Sequence, residues 1–224
     1  MATQLDLQEQ EQLDALKAFW NKQGNLITWT LVLALGGFAA YNGWQYWQRD
    51  QGVKAAAMFD ELERAAQAGD AAKTGLVFGD LKDRFGRTAF AQQGALLAAR
   101  VQFDKGQADA AKASLAWAAE HGDEEIRAIA HLRLAALQAD AKQYDEALKT
   151  LAAVNTPDFE ALAQDRRGDV LMAQGKKPEA LAAYQSAYQA MGEKVDYRRL
   201  IDAKLTALGA PPPAPAAAAS GSAP

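Results

Sequence analysis

Two histidines, His121 and His131, are the only side chains whose ordinary pKa lies near neutrality. They stand ten residues apart, with no HExxH-type spacing to bring two imidazoles and a carboxylate to one metal ion. The chain has no cysteine, which excludes disulfides, thiolate metal sites and a cysteine nucleophile together. Carboxylates are plentiful. However, Glu124-Glu125, Asp145-Glu146 and Asp165 beside Arg166 stand where solvated helix faces or caps would put them, and catalytic pairs need a cleft that perturbs their pKa values. No P-loop or GxGxxG occurs. The reading is a protein with no active site, cofactor or metal, in which His131 is a packing or surface residue. The chemistry that remains is recognition of other polypeptides, through arginines interleaved with apolar side chains.

Those groups must be positioned by helices. Alanine is abundant, Leu, Gln, Glu and Lys are common, and runs of Val, Ile and Thr are hard to find, which makes the class all-α. A length of 224 residues permits one domain with appendages. A net charge of -4 and a pI near 5.3 supply no basic field for nucleic acid, whose binding needs Lys and Arg to replace condensed counterions. The absence of cysteine leaves the redox compartment open.

From Val53 onward a spacing recurs. Ala99, Gly106, Ala111, Leu115 and Ala118 are followed at the same offsets by Ala135, Lys142, Ala147, Leu151 and Val154, and then by Gly168, Gly175, Ala180, Tyr184 and Ala187. The anchors Ala111, Ala147 and Ala180 lie 36 and 33 residues apart. The pattern describes a helix, a tight turn and a second helix folded back, with small residues where the two backbones cross and a bulky one a turn later. Gly106 and Gly175 suit the left-handed position that ends a helix. Asp145-Glu146 and Glu179 favour the N-terminus of the second helix, and Thr156-Pro157 reads as N-cap and first helical residue. An earlier hairpin would turn at Gly69-Asp70, with Phe78 as its bulky residue but Thr74 where a small one is expected. This spacing resembles the tetratricopeptide repeat, although the Trp of that consensus is replaced by Ala95, His131 and Gln164. Stacked hairpins form a concave surface from their first helices. In this register that surface offers Arg100, Phe103, Ile129, Arg133, Leu162, Arg166, Asp169 and Met172 as a candidate binding face for an extended peptide or unfolded segment. An ordinary solvated helix face carrying a few arginines is the competing reading.

Ahead of the repeats, no charged residue occurs between Lys22 and Arg49. From Leu26 to Trp47 a helix would measure about 33 Å, close to the ~30 Å hydrocarbon thickness of a bilayer. Phe19 and Trp20 at one end and Tyr41, Trp44, Tyr46 and Trp47 at the other match interfacial belts. A buried core helix would not need this length or an apolar circumference. A cleaved signal peptide, with Gly37 and Ala39 near its cleavage site, would not open on the acidic run Asp6, Glu9, Glu11 and Asp14. Gly36, Ala40 and Gly43 place small residues on one helix face, a candidate packing surface for a partner helix, although glycine is common in such helices anyway. Lys17 and Lys22 balance Arg49 and Lys54, so charge does not orient the span.

The order of parts, with Phe85-Gly86-Arg87-Thr88-Ala89-Phe90-Ala91, Asp123-Glu124-Glu125-Ile126-Arg127-Ala128-Ile129-Ala130 and Asp165-Arg166-Arg167-Gly168-Asp169-Val170, resembles the YfgM family of bacterial inner-membrane proteins over about residues 5–208. The resemblance implies a cytoplasmic stub (1–24), a transmembrane helix (25–47), a periplasmic repeat domain (53–208), and association with the SecYEG translocon and periplasmic chaperones such as PpiD. The expected function is a membrane-anchored interaction module linking secreted chains to those chaperones. The alternative is a structural or regulatory scaffold in envelope assembly or stress signalling. The tail, 209–224, is rich in Pro and Ala, carries no charge and reads as an extended or disordered extension.

Overall fold

The computed structural model describes residues 7–192 and 196–211, which contain nine α-helices and no strand. The first six residues of the acidic stub, Asp6 among them, and the tail from 212 onward lie outside the described residues. The chain divides between Val53 and Lys54 into two compact units.

The first unit is built from α1 (Leu7–Gln67), which begins well before the apolar segment. Leu7 to Ala18 is made almost entirely of strong helix formers, so nothing stops the helix from starting there. Through the apolar segment the large side chains stand exposed: Leu26 at 67%, Leu33 at 72% and Phe38 at 69%. Some of its polar side chains bond back within the helix. The Thr30 hydroxyl donates to the Leu26 carbonyl and the Asn42 amide to the Phe38 carbonyl, each at 2.8 Å. Backbone and side-chain polar groups that close on themselves are what a hydrocarbon environment demands.

The second unit takes the last turns of α1, from Lys54, and continues through α2 (Ala71–Phe85), α3 (Ala89–Asp104), α4 (Ala108–His121), α5 (Glu124–Asp140), α6 (Tyr144–Ala152), α7 (Pro157–Ala173), α8 (Lys177–Ala190) and α9 (Arg198–Ala207). The helices pair as consecutive hairpins. The small anchors Ala111, Ala147 and Ala180 are fully buried, and Leu115, Leu151 and Tyr184 are 2 to 3% exposed, so the crossing geometry expected from their spacing holds in three hairpins. The Gly69-Asp70 turn is also present, and Asp70 caps α2 by accepting from the Lys73 N–H. Thr74 fits the crossing of that first hairpin because its hydroxyl donates to the Asp70 carbonyl at 2.7 Å, so the buried oxygen is not left without a partner. Leu62 of α1 packs with Phe78 and Leu81 of α2 and Ala95 of α3 in one core cluster.

Each turn from first to second helix uses the same two backbone hydrogen bonds. Gly69, Gly106, Lys142 and Gly175 donate to the carbonyl three residues back, and the residue after each donates to the carbonyl five residues back, the arrangement that closes a helix through a left-handed residue. Lys142 adopts φ 61° without being glycine, which costs about 1 kcal/mol. Gly209 ends α9 with the same pair of bonds at φ 79°. By this signature α9 is a fifth first-type helix, and Ile201 and Leu205 bury its apolar face in the cluster formed by α7 and α8. Thr156 occupies the N-cap position and Pro157 the first turn of α7, as expected, but the Thr156 side chain makes no capping hydrogen bond.

Candidate interaction face

The first helices α3, α5 and α7 carry all eight residues of the expected binding face, which the structure divides into two groups. Arg100, Phe103, Arg133 and Arg166 are exposed. Leu162 and Met172 are half-buried and pack against the core cluster of α7, α8 and α9, and Ile129 is half-buried. Arg100 approaches Asp104 at 3.9 Å and Arg166 approaches Asp169 at 3.6 Å. Both are exposed pairs of little energetic weight.

Asp169 faces inward as much as outward. It accepts from Lys204 Nζ at 2.7 Å and from the Tyr184 hydroxyl at 2.8 Å. Beside it, Asp165 corrects the sequence reading of a solvated carboxylate. It is fully buried, accepting from Lys204 Nζ and from the Tyr197 hydroxyl, each at 2.8 Å. The helix face that was expected to be open there is covered by α9, whose Lys204 and preceding Tyr197 supply the donors. This clasp of two carboxylates, two phenols and one ammonium was missed because its parts lie up to 39 residues apart and its covering helix falls past the last readable repeat. The available signal was the apolar spacing Tyr197, Ile201, Leu205 and Leu208.

Burial, and then hydrogen bonding to Asp165, push the Tyr197 hydroxyl up to about 12. The same causes, acting through Asp169, raise Tyr184 as well. A phenol whose folded pKa exceeds its unfolded value near 10 adds stability below pH 10 that is lost as pH rises toward the folded value. The stability advantage of the native protein over Tyr197→Phe is therefore expected to shrink between about pH 10 and 12. Denaturation midpoints of both proteins across that range check it, and a constant gap would remove the Tyr197–Asp165 bond as the cause.

His131 is half-buried, and burial, with the Arg127 charge adding to it, lowers its pKa. Its Nδ1 is buried without a hydrogen-bond partner. In the apolar segment, Gly36, Ala40 and Gly43 are exposed, and a methyl group added at Gly36 or Gly43 would meet nothing within 4 Å. One helix among the described residues is long and apolar enough to cross a membrane, and only 6% of its most apolar window is buried.

The tetratricopeptide repeat-like domain family matches residues 17–210, which takes in the apolar segment together with the repeats and α9. A protein of Neisseria gonorrhoeae called the ancillary SecYEG translocon subunit is 33% identical over 207 residues, covering 90% of this chain and 98% of its own length. Proteins of the same name from Haemophilus influenzae and Escherichia coli are each 30% identical, covering 82% and 80% of this chain and 90% and 86% of their own lengths. The chain belongs to the YfgM family. Membership makes it an interaction scaffold and not an enzyme, which accords with the absence of catalytic spacing among its titratable residues. In this YfgM-family chain the buried Asp165 and its half-buried neighbour Asp169 serve the joint between the last hairpin and α9.

Proposed function

We propose that the chain is a single-pass membrane protein that associates with a SecYEG-type translocon. Its stub lies in the cytoplasm, its span is residues 25–47, and its repeat domain, 53–208, lies in the periplasm and docks exported chains and periplasmic chaperones such as PpiD. One observation carries this reading: the Neisseria gonorrhoeae relative named for the translocon is matched over 98% of its length, so span and repeats are shared as one unit. The exposed rings and aliphatic side chains from Leu26 to Trp47 support insertion, since an apolar surface of that size is stable only when removed from water. Tethering supplies the mechanism. Confinement to the membrane raises the effective concentration of a weak binder beside its target.

The test is photo-crosslinking in native membranes from positions in the span, such as Gly36 and Gly43, and in the repeats, such as Phe103. Translocon subunits are the expected products from the span, and secretory chains or chaperones from the repeats. Exclusive recovery of envelope-assembly or signalling proteins overturns the reading in favour of a scaffold. Protease access to the repeats in spheroplasts tests the orientation, and protection there reverses it.

A further inference from the structure

The second helices differ in length. α2, α4 and α8 run to Phe85, His121 and Ala190, ten or eleven residues past Thr74, Ala111 and Ala180, whereas α6 ends at Ala152, five past Ala147. Pro157 disfavours helical backbone at the residue before it, and Thr156 is extended there at ψ 122°. The residues from Ala153 to Thr156 therefore bridge to α7 outside any helix. The missing turns leave a notch of about 140 Å³ lined by this bridge, by Ala119 of α4 and by the first half of α5. In the hairpin of α3 and α4 the residue six past the anchor is Trp117, which packs against the core cluster that holds Ala91 and Ala95. Six past Ala147 stands Ala153. Counted back from the turns at Gly106 and Lys142, Arg127 and His131 of α5 take the places of the fully buried Ala91 and Ala95 of α3. Between one hairpin and the next, an apolar joint has become a polar notch.

Glu124, Arg127, His131, Asn155 and Thr156 are its polar lining, and among the described residues none of these side chains makes a hydrogen bond or ion pair. Exposed groups of this kind are answered by water, but Thr156 is only 7% exposed and His131 Nδ1 is enclosed, and buried polar groups are ordinarily bonded. Glu124 and Arg127 are opposite charges three residues apart on one helix, a spacing that permits pairing, yet they stay apart. Burial, and then the Arg127 charge, lower the His131 pKa. The imidazole is therefore uncharged at neutral pH, and the field of the guanidinium falls on the His131 wall. A lone carboxylate in the notch would meet Glu124, and a lone ammonium would meet Arg127. A molecule that carries both charges on neighbouring atoms satisfies the two together, with the carboxylate toward Arg127. The notch has the space of roughly four or five water molecules at ~30 Å³ each, which suits a small amino acid.

We propose that this notch binds a free α-amino acid with a small polar side chain, its carboxylate on Arg127 and Thr156 and its ammonium on Glu124. The site takes a small molecule, so it stands or falls separately from the docking of polypeptides. Isothermal titration of the full chain in nanodiscs tests it. The probes are L-serine, N-acetyl-L-serine, which lacks the ammonium, and L-serinamide, which lacks the carboxylate. Serine is expected to bind saturably and the two derivatives at least about tenfold more weakly, since each loses a hydrogen-bonded charge. Arg127→Gln and Glu124→Gln, at exposed positions away from the core, should each weaken serine binding by about the same factor. Ala153→Trp places an indole in the notch, as Trp117 does one hairpin earlier, and should abolish binding while the thermal midpoint of the repeat unit is kept. Absence of saturable serine binding overturns the proposal. So does a blocked derivative that binds as tightly as serine, which would make the notch a site for a simple ion or for water. Serine binding that survives both glutamine variants, or survives Ala153→Trp, overturns it as well by placing the amino acid elsewhere.

Discussion

Lys204→Met is expected to cost the repeat unit about 3 kcal/mol of stability. The ammonium bonds Asp165 and Asp169 at 2.8 and 2.7 Å, and the Asp165 side chain has no exposure through which water could replace it. Methionine keeps the apolar stem but loses the Nζ that lies 5.1 Å from the Tyr184 ring centroid, and it leaves a buried carboxylate with the Tyr197 hydroxyl as its remaining donor. An ion stripped of its partner inside a protein is far more costly than a pair that was never there. Asp165→Asn in the same background removes the stranded charge and should therefore restore much of the loss, making the double variant more stable than the single one. Because the clasp fixes α9, amide exchange at Ile201 and Leu205 should accelerate in Lys204→Met before the rest of the unit opens. Urea denaturation provides the main measurement. An unchanged midpoint would mean that α9 is held by its apolar face alone.

The difference between the clasp and the repeats shows which features can be read from a linear chain. Ala111, Ala147 and Ala180 betray the hairpins because each crossing imposes the same small residue at nearly the same interval, and Gly106 and Gly175 mark turns because few other residues accept a left-handed backbone. The apolar segment is as readable, since a bilayer imposes length and composition locally. Lys142 shows the limit of the glycine rule: the turn's two hydrogen bonds are formed there in spite of the side chain, because packing of α5 on α6 outweighs about 1 kcal/mol of backbone strain. A repeated polar pair was also available and went unread. Ser114 donates to Gln102 and Thr150 to Gln138, each at 2.8 Å, and the two pairs are 36 residues apart, the spacing of the neighbouring alanine anchors. Asp165 could not be read in this way. Whether a carboxylate on a helix is solvated or buried depends on what packs over it, and of the residues that mark the repeat the covering helix offers only the Gly209 that ends it. The binding face was legible as a set of positions on first helices. Its division into exposed Arg133 and half-buried Leu162 depends on how far each hairpin rotates against the next.

Gly168→Ala is expected to destabilise the unit by about 3 kcal/mol, at the upper end of the usual cost of overpacking. A Cβ on Gly168 would come within 2.8 Å of Tyr184 Cζ and closer still to Cδ1 and Cε1. The ring cannot swing aside cheaply, because its hydroxyl is bonded to Asp169 and the side chain is only 3% exposed. Elsewhere in a helix, glycine to alanine is favourable by up to about 1 kcal/mol. Gly79 of α2, where an added methyl meets nothing within 4 Å, should show that gain. The contrast allows a sign test: in a Tyr184→Ala background the obstruction is gone, so Gly168→Ala should change from costly to neutral or stabilising, a coupling of about 3 kcal/mol in a double-mutant cycle. Additive effects would mean that glycine at 168 serves the backbone of α7 and not the approach of α8. Coupling would instead identify the Gly168–Tyr184 contact as the crossing that sets how closely the last hairpin closes, and with it the seat on which α9 is clasped.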